Sequence, residues 1–190
     1  MNIAYYFQRL ARRIALVPSP GSSLRKINLQ MRGATIGKHT SIPARTQTTW
    51  PHQVVLGSAC ILQTDIFFNF DHFWVPGSAM HFGDRVFIGR GCEFNIRYGL
   101  TVGDDSLIAA GCVFIDHDHG RDAITKQIST DFPGGPICVG KGAWIGAKVV
   151  VLKSVSIGNH SVIGAGSVVT RSIPNFEVWA GVPAKRISGN

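Results

Sequence analysis

A six-residue period runs through the C-terminal part of the chain and limits what it can fold into. From residue 139 an aliphatic residue recurs at every sixth position, at Val139, Ile145, Val151, Ile157, Ile163 and Val169. An α-helix, with 3.6 residues per turn, cannot keep such a stripe on one face. A triangular coil can, if each side takes six residues and the aliphatic side chain points inward. The period therefore predicts stacked coils of three sides each.

The same pattern predicts corners and loops. Glycine follows four of the aliphatic residues, at Gly140, Gly146, Gly158 and Gly164. We expect these glycines to start the corners with unusual backbone angles. Weaker traces of the period reach back to Ile36, and they are interrupted at 43–53, 68–81 and 115–138. These interruptions predict loops that project from the coils, which is where functional residues usually lie.

Length and composition fit one intracellular domain. The chain has 190 residues and is 45% apolar, which is enough for a single core. Its formal charge of +8 favours phosphorylated or polyanionic partners, but the basic residues form no stripe interleaved with aromatics, so a nucleic-acid binder is not expected. The four cysteines form no C-x-x-C motif, and no apolar run is long enough to span a bilayer. We expect a cytoplasmic protein with reduced thiols.

Residues 1–20 predict an amphipathic helix that precedes a repeat domain at 21–187. In the segment 1–17 an apolar helical face lies opposite Arg9, Arg12 and Arg13, before Pro18 and Pro20 end the helix. The apolar face carries Ile3, Phe7, Leu10, Ile14 and Val17. We expect this helix to pack on the open end of the coils or on a neighbouring subunit, or else to make peripheral contact with anionic lipid at the inner membrane face.

The hexads, the loop from Phe114 to Cys138 and the C-terminal segment together resemble the hexapeptide-repeat acyltransferases. The C-terminal segment reads Val169-Thr170-Arg171-Ser172-Ile173-Pro174 and then Ala180-Gly181-Val182-Pro183-Ala184-Lys185. The resemblance covers residues 82–187 and is closest to the galactoside, maltose and polysaccharide O-acetyltransferases. It implies an all-β fold, a left-handed parallel β-helix, and a homotrimer with a site at each interface. It also implies acetyl-CoA as co-substrate and no metal.

The resemblance also implies a catalytic residue. The family's histidine lies in the loop after an apolar strand, where this chain has Ile115-Asp116-His117-Asp118-His119-Gly120. His117 is expected to be the general base that takes the acceptor's hydroxyl proton during direct attack on the thioester, because histidine exchanges protons near neutral pH. Asp116 and Asp118 are available to fix its tautomer. His119 either orients the acceptor or caps the loop.

Coenzyme A is expected on the last coils, again by resemblance. Ala147 and Ala165, one coil apart, are expected to present backbone groups to the pantetheine arm. Thr170, Arg171 and Lys185 are expected to lie toward the nucleotide and its phosphates.

The acceptor is expected to be a sugar hydroxyl in a bacterial surface polysaccharide or glycan precursor. Asn95 would hydrogen-bond that sugar, or else serve as a turn or ladder residue. The insertion Phe68-Asn69-Phe70-Asp71-His72-Phe73-Trp74 suits stacking on a sugar ring, and equally suits packing on the next subunit. An amino-sugar nitrogen, serine or an antibiotic remains an alternative acceptor. Residues 1–80 match the sugar acetyltransferases poorly, and Val151-Leu152-Lys153-Ser154 stands where relatives often have Pro-Gly.

Two rival functions remain open. Histidines on neighbouring coils and subunits can form a three-nitrogen zinc site, and His81, His117 and His119 would be the ligands of a zinc hydratase on the same fold. A scaffold protein without catalytic activity is the other rival.

Overall fold

Three parallel β-sheets enclose a single core in the computed structural model, which describes residues 21–121, 127–128 and 131–188. We name the sheets faces A, B and C. Face A contains β1 (Thr35–Ile36), β3 (Val54–Leu56), β6 (Met80–Phe82), β9 (Leu100–Val102), β12 (Ile137–Val139) and β15 (Ser156–Ile157). Face B contains β2 (Gln47–Thr48), β5 (Phe67–Phe70), β8 (Glu93–Ile96), β11 (Val113–Ile115), β14 (Val150–Val151) and β17 (Val168–Val169). Face C contains β4 (Ile61–Leu62), β7 (Phe87–Ile88), β10 (Leu107–Ile108), β13 (Trp144–Ile145), β16 (Val162–Ile163), β18 (Val178–Gly181) and β19 (Ala184–Ser188).

From β3 to β17 the chain visits faces A, C and B in turn, so three strands make one coil. Each strand pairs in parallel with its counterparts on adjacent coils; Ile145, for example, is in register with Ile108 and Ile163. Among the strands of the described residues, only β19 runs antiparallel to its neighbour, as a hairpin with β18. The predicted left-handed parallel β-helix is confirmed.

The six-residue stripe forms the core, as predicted. Ile145, Val151 and Val169 are each 0% exposed. In the middle coils larger side chains take the same inward position, and the rings of Phe68, Phe94 and Phe114 stack with centroids 5.3 and 5.2 Å apart. The β-helix is therefore filled by in-register side chains on every coil.

The predicted role of the corner glycines is wrong in its mechanism. Gly140 and Gly146 have no left-handed backbone; that conformation occurs two residues later, at Gly142 (φ +65°) and Lys148 (φ +57°). Glycine is required because the next coil is so close. A Cβ on Gly140 would lie 2.6 Å from the backbone nitrogen of Asn159.

A helix that the sequence did not predict closes the first coil. Helix α1 (Ser22–Met31) precedes β1, and its buried Ser22 hydroxyl accepts a hydrogen bond from the Ile42 N–H at 2.9 Å. Arg25 Nε donates to the Ile42 carbonyl at 3.0 Å, and Lys26 Nζ to the Gly37 carbonyl at 2.6 Å. The amphipathic helix predicted within residues 1–20 lies outside the described residues. In the part of the chain that is described, no helix is long and apolar enough to cross a membrane.

The connections from face B to face A follow one edge of the prism, which we call the B–A edge. On successive coils they comprise residues 49–53, which include a 3₁₀ turn (Pro51–Gln53), then 71–79, 97–99, the segment between β11 and β12, and 152–155. Of the segment between β11 and β12, residues 116–121, 127–128 and 131–136 are described. Two of the predicted loops, 68–81 and 115–138, thus leave from the same edge.

Candidate active site

His117 lies at the start of the segment that follows β11, on the B–A edge. Its side chain is 8% exposed, and that of the preceding Asp116 is 0% exposed. The two are joined by a hydrogen bond of 3.0 Å between His117 Nδ1 and Asp116 Oδ1. Because this contact uses Nδ1, Nε2 is the nitrogen that faces away from the core.

Asp116 is held by the backbone of the preceding coil. Its carboxylate accepts hydrogen bonds from the N–H groups of Arg97 (2.8 Å), Tyr98 (2.7 Å) and Gly99 (2.8 Å). A carboxylate with three backbone donors has little freedom to rotate. Asp116 therefore fixes both the orientation of the imidazole and the nitrogen that carries the first proton.

The second nitrogen of His117 also faces a carboxylate. Asp71 Oδ2, from the connection between β5 and β6, lies 2.9 Å from His117 Nε2, and the Asp71 side chain is 41% exposed. Both carboxylate contacts are hydrogen bonds only when the imidazole carries two protons. Asp71 must therefore move from Nε2 before that nitrogen accepts a proton from another group.

Arg97 links Asp71 to the histidine segment. It lies on the coil between them, and its Nη1 donates to the Asp71 carbonyl at 2.6 Å. The same guanidinium lies 3.9 Å from the ring centroid of Phe132, which in turn is 6.0 Å from the His117 ring. Asp71, Arg97 and His117 thus form a stack along the edge.

The far side of the histidine segment returns to the edge at Gly134. His117 and Gly134 form an antiparallel bridge, and the Gly135 N–H donates to the Asp116 carbonyl at 2.9 Å. A Cβ on Gly134 would lie 2.4 Å from that carbonyl oxygen and 2.5 Å from Tyr98 Cε2. The Tyr98 hydroxyl donates to the Phe132 carbonyl, which closes this arrangement.

The other polar residues of the histidine motif point elsewhere. Asp118 pairs with Lys153 of the next coil, in the tetrapeptide where relatives often have Pro-Gly. The His119 ring lies 5.0 Å from that of Phe132 and 6.5 Å from that of His117. Of the two available aspartates, Asp116 is thus the one that contacts the histidine.

Asn95 takes part in a polar ladder on face B. It accepts a hydrogen bond from Asn69 Nδ2 at 3.0 Å and donates to Glu93 Oε1 at 2.9 Å. It is in register with Ile115, two residues before His117. Asn95 is therefore near the histidine, with its side chain engaged by two neighbours.

The residues expected to bind coenzyme A lie on two different edges and on face C. Ala147 and Ala165 are on the edge between faces C and B, where the Ala147 carbonyl accepts from the Gly166 N–H at 2.8 Å. Thr170 and Arg171 follow β17 on the B–A edge, and the Arg171 guanidinium is 5.3 Å from the Trp179 ring. Lys185, exposed on β19, is paired with Ala180 on face C. One chain therefore does not bring Ala147 and Ala165 to His117.

The histidines of the zinc hypothesis are not assembled within one chain. His81 lies on face A, where its Nε2 is 3.0 Å from the Ser78 carbonyl oxygen. Among the residues that the structure describes, no group of three or more His, Cys, Asp and Glu side chains is placed to hold a metal ion.

Sequence reasoning missed Asp71 and Arg97. Both belong to segments where the period is interrupted, so their place on the edge follows only once the strand register is known. The signal available in the sequence is that Asp71 comes directly after an apolar strand, within an insertion rich in aromatic residues.

Two family models match the repeats. The bacterial transferase hexapeptide (six repeats) matches residues 139–171, and the hexapeptide repeat of succinyl-transferase matches residues 82–114. WbbJ of Escherichia coli, named for lipopolysaccharide biosynthesis O-acetyl transfer, is 31% identical over 146 residues, which cover 67% of this chain and 74% of WbbJ. The chain belongs to the hexapeptide-repeat acyltransferases.

Other members of the hexapeptide-repeat acyltransferases agree with this assignment. Galactoside O-acetyltransferase of Escherichia coli is 37% identical over 121 residues, 60% of this chain. The matched region covers 59% of that relative, and only 36% and 53% of two others, so the chain spans about a third to three fifths of their length.

The fold is shared with AntD, an N-acyltransferase from Bacillus cereus solved with dTDP-4-amino-4,6-dideoxyglucose and coenzyme A. AntD has a TM-score of 0.74 at 17% identity, with 86% of this chain and 88% of AntD covered.

Proposed function

We propose that the protein is an acetyl-CoA-dependent O-acetyltransferase that acts on a sugar hydroxyl of a surface polysaccharide or glycan precursor. The observation that carries this proposal is the geometry of His117. Its Nδ1 is held by the buried Asp116 carboxylate at 3.0 Å, so its Nε2 faces the B–A edge, where it contacts the half-exposed Asp71 carboxylate at 2.9 Å. WbbJ and the galactoside enzyme, both named for O-acetyl transfer, support a sugar acceptor.

His117 acts as general base in this proposal. The step starts from the neutral imidazole, with its proton on Nδ1. The acceptor hydroxyl replaces the Asp71 carboxylate at Nε2, and Nε2 takes the hydroxyl proton while the oxygen attacks the thioester carbonyl. Acetyl-CoA supplies the acetyl group, and coenzyme A leaves as a thiolate. His117 then returns the proton to that thiolate, so the products are the acetate ester and the free thiol. Asp116 holds the imidazolium that forms in between.

The coenzyme A site supports a two-chain active site. Because Ala147 and Ala165 lie on a different edge from His117, a pantetheine arm that reaches both residues and the histidine must lie between two copies of the chain. A homotrimer of parallel prisms, with His117 from one copy facing Ala147 and Ala165 of the next, satisfies this requirement. Thr170, Arg171 and Lys185 would bind the nucleotide and its phosphates, since basic side chains suit phosphate oxygens.

An amino-sugar nitrogen is the second candidate acceptor. AntD has the same fold and is an N-acyltransferase solved with an amino sugar linked to a nucleotide. The buried base favours a hydroxyl, because a hydroxyl needs deprotonation during attack, whereas a neutral amine attacks with its own lone pair.

Acetyl-CoA is made inside cells, so we place the protein in the cytoplasm, with residues 1–17 as the candidate for contact with the inner membrane face.

The first experiment is a calorimetric titration of acetyl-CoA into the wild type and into Arg171→Ala, Lys185→Ala and His117→Ala. We expect the first two variants to weaken binding by at least fivefold, and His117→Ala to leave it within twofold. In an acetyl-transfer assay with a panel of sugars, His117→Ala should lower turnover by roughly 10²- to 10⁴-fold, the usual contribution of a general base. Absence of acetyl-CoA binding to the wild type would contradict the proposal.

A further inference from the structure

Two large aromatic side chains project into solvent from the connection that carries Asp71. Phe73 is 86% exposed and Trp74 is 60% exposed. Single exposed apolar side chains are common, but two adjacent large aromatic ones form a patch of the kind that marks a binding surface. Their exposure therefore requires a reason.

The backbone beside these side chains is firmly held. Trp50 Nε1 donates to the His72 carbonyl at 3.1 Å, and Gln53 Nε2 donates to the Val75 carbonyl at 2.8 Å. The His52 ring lies 5.5 Å from that of Trp74. The backbone that carries Phe73 and Trp74 is thus held by hydrogen bonds on both sides, at His72 and at Val75. We call Trp50, His52, His72, Phe73 and Trp74 the aromatic ledge.

The aromatic ledge lies on the same edge as the candidate base. Residues 49–53 belong to the first coil of the B–A edge, residues 71–79 to the second, and His117 to the fourth. Three strand spacings of about 4.8 Å separate the first and fourth coils, so the edge from His52 to His117 is roughly 14 Å long. Asp71, 2.9 Å from His117 Nε2, is on the same connection as the exposed pair.

We propose that the aromatic ledge is a distal glycan subsite and that the acceptor is therefore an oligosaccharide or polysaccharide rather than a single sugar. The hydroxyl of the reacting ring takes the place of the Asp71 carboxylate at His117 Nε2, and a later ring of the same chain stacks on Phe73 and Trp74. Aromatic faces bind the C–H faces of sugar rings, while a carboxylate accepts hydrogen bonds from their hydroxyl groups. The inference rests on the proposed function, because that function identifies His117 as the place where one sugar ring of the glycan reacts.

The composition of the aromatic ledge favours a neutral glycan over a lipid surface. Residues 49–53 and 71–79 contain no lysine or arginine, whereas binding to anionic lipid uses basic side chains next to the apolar ones. The connection instead supplies the Asp71 carboxylate, which pairs with Arg97 of the next coil at 3.7 Å and so offsets the positive charge at this end of the edge.

The test measures binding of unmodified sugars by saturation-transfer NMR, with no acetyl-CoA present. The probes are oligomers of one to six rings built from glucose, galactose, mannose or N-acetylglucosamine. In at least one series the wild type should bind the longest oligomer at least fivefold more tightly than the single ring. The double variant Phe73→Ala/Trp74→Ala should bind all lengths of that series within twofold of one another. Trp74→Leu, which keeps an apolar side chain without the flat ring, should lose most of the gain as well.

Phe176→Ala is the matched control, because Phe176 is 58% exposed and stacks on His160 in a different part of the β-helix. It should retain the full dependence on chain length. The inference is overturned if the wild type shows no such dependence in any series, or if the dependence persists in the double variant. It is also overturned if light scattering shows that the double variant, but not Phe176→Ala, loses subunits, because the aromatic ledge would then be a contact between copies.

This binding test is independent of catalysis. Length-dependent binding without acetyl transfer to any sugar would remove the proposed function and leave the subsite in place. Acetyl transfer with equal binding of all lengths would remove the subsite and leave the proposed function in place.

Discussion

Asp71 and His117 lie two coils apart in the β-helix, yet Asp71 Oδ2 is 2.9 Å from His117 Nε2. With Asp116 on the opposite nitrogen, His117 lies between two carboxylates. The buried one is fixed by backbone donors, and the half-exposed one is free to exchange its hydrogen bond with an incoming hydroxyl. Under the proposed function, this difference in burial gives Asp116 the orienting role and Asp71 the contact with the acceptor.

Replacing Asp71 by alanine tests the second assignment. We expect the acceptor KM to rise roughly tenfold or more, because a hydrogen bond to a charged group contributes about 1.5–3 kcal/mol. The turnover number should change by less than threefold, since Asp116 and His117 stay in place. Steady-state kinetics with the acceptor found in the sugar screen separate the two quantities. A fall in turnover with an unchanged KM would show that Asp71 serves the base and not the acceptor.

Replacing Asp116 by asparagine should impair both catalysis and stability. The amide NH₂ would face backbone N–H groups or the imidazole, at a cost of about 1–3 kcal/mol in the free energy of unfolding, measured by urea denaturation. Turnover should fall about 10²- to 10⁴-fold because the imidazole loses its orientation, while calorimetry should show unchanged acetyl-CoA affinity.

Asp118→Asn is the control for Asp116→Asn. Its carboxylate is 57% exposed and pairs with Lys153, so its loss should cost less than about 1 kcal/mol. Equal losses in the two variants would contradict the distinct role of Asp116.

Gly134→Ala should disturb the histidine segment. The new methyl group would lie 2.4 Å from the Asp116 carbonyl oxygen and 2.5 Å from the Tyr98 ring, so the segment must move. We expect turnover to fall at least tenfold, with little change in the circular dichroism of the β-helix. Gly91→Ala is the control. Its new methyl group would have no atom within 4 Å, so the substitution only places an alanine at φ +70°. That variant should lose about 1–2 kcal/mol of stability and keep its activity.

The cysteines predict the number of reactive thiols. Cys138 is exposed on face A, whereas Cys60, Cys92 and Cys112 are buried. In the folded protein, one thiol per chain should therefore react rapidly with an aromatic disulfide reagent. In denaturant all four should react, and the released aromatic thiolate counts them. Cys138→Ser should remove the fast phase. Rapid reaction of a second thiol in the native state would show that a coil opens easily.

Burial of Cys60 predicts a loss of stability in alkali. Desolvation raises the pKa of this thiol above its ordinary value of 9.0. The folded chain then retains a proton that the unfolded chain loses, so the free energy of unfolding falls as the pH rises above about 9. Urea denaturation between about pH 8 and 10 should show this slope, and Cys60→Ala should show a shallower one. An equal slope in both proteins would assign the effect to other groups.

The register of the strands could be predicted only where the period is unbroken. From Val139 to Val169 each aliphatic residue faces inward as the sequence indicates, because a strict period leaves one way to bury the stripe. The function of the corner glycines was misjudged. These positions require glycine because the neighbouring coil leaves no room for a Cβ. A sequence pattern does not show how close that coil is.

The candidate base could be identified from the sequence by the motif around His117, but its partners could not. Asp116 and Asp118 are equivalent in sequence, and the structure separates them: one lies in the core under three backbone donors, and the other lies at the surface beside Lys153. Asp71 was hidden in an insertion of irregular length, where no period fixes its position.

The sequence by itself determined the β-helix, the family and the histidine, because each depends on a local pattern that repeats or is contiguous. Only the tertiary structure decided that Asp71, Arg97 and His117 share an edge, and that Ala147 and Ala165 lie on another. Those relationships depend on how many residues each insertion places outside the coils. The six-residue period does not fix that number, because it is set by where the chain re-enters the next coil in three dimensions.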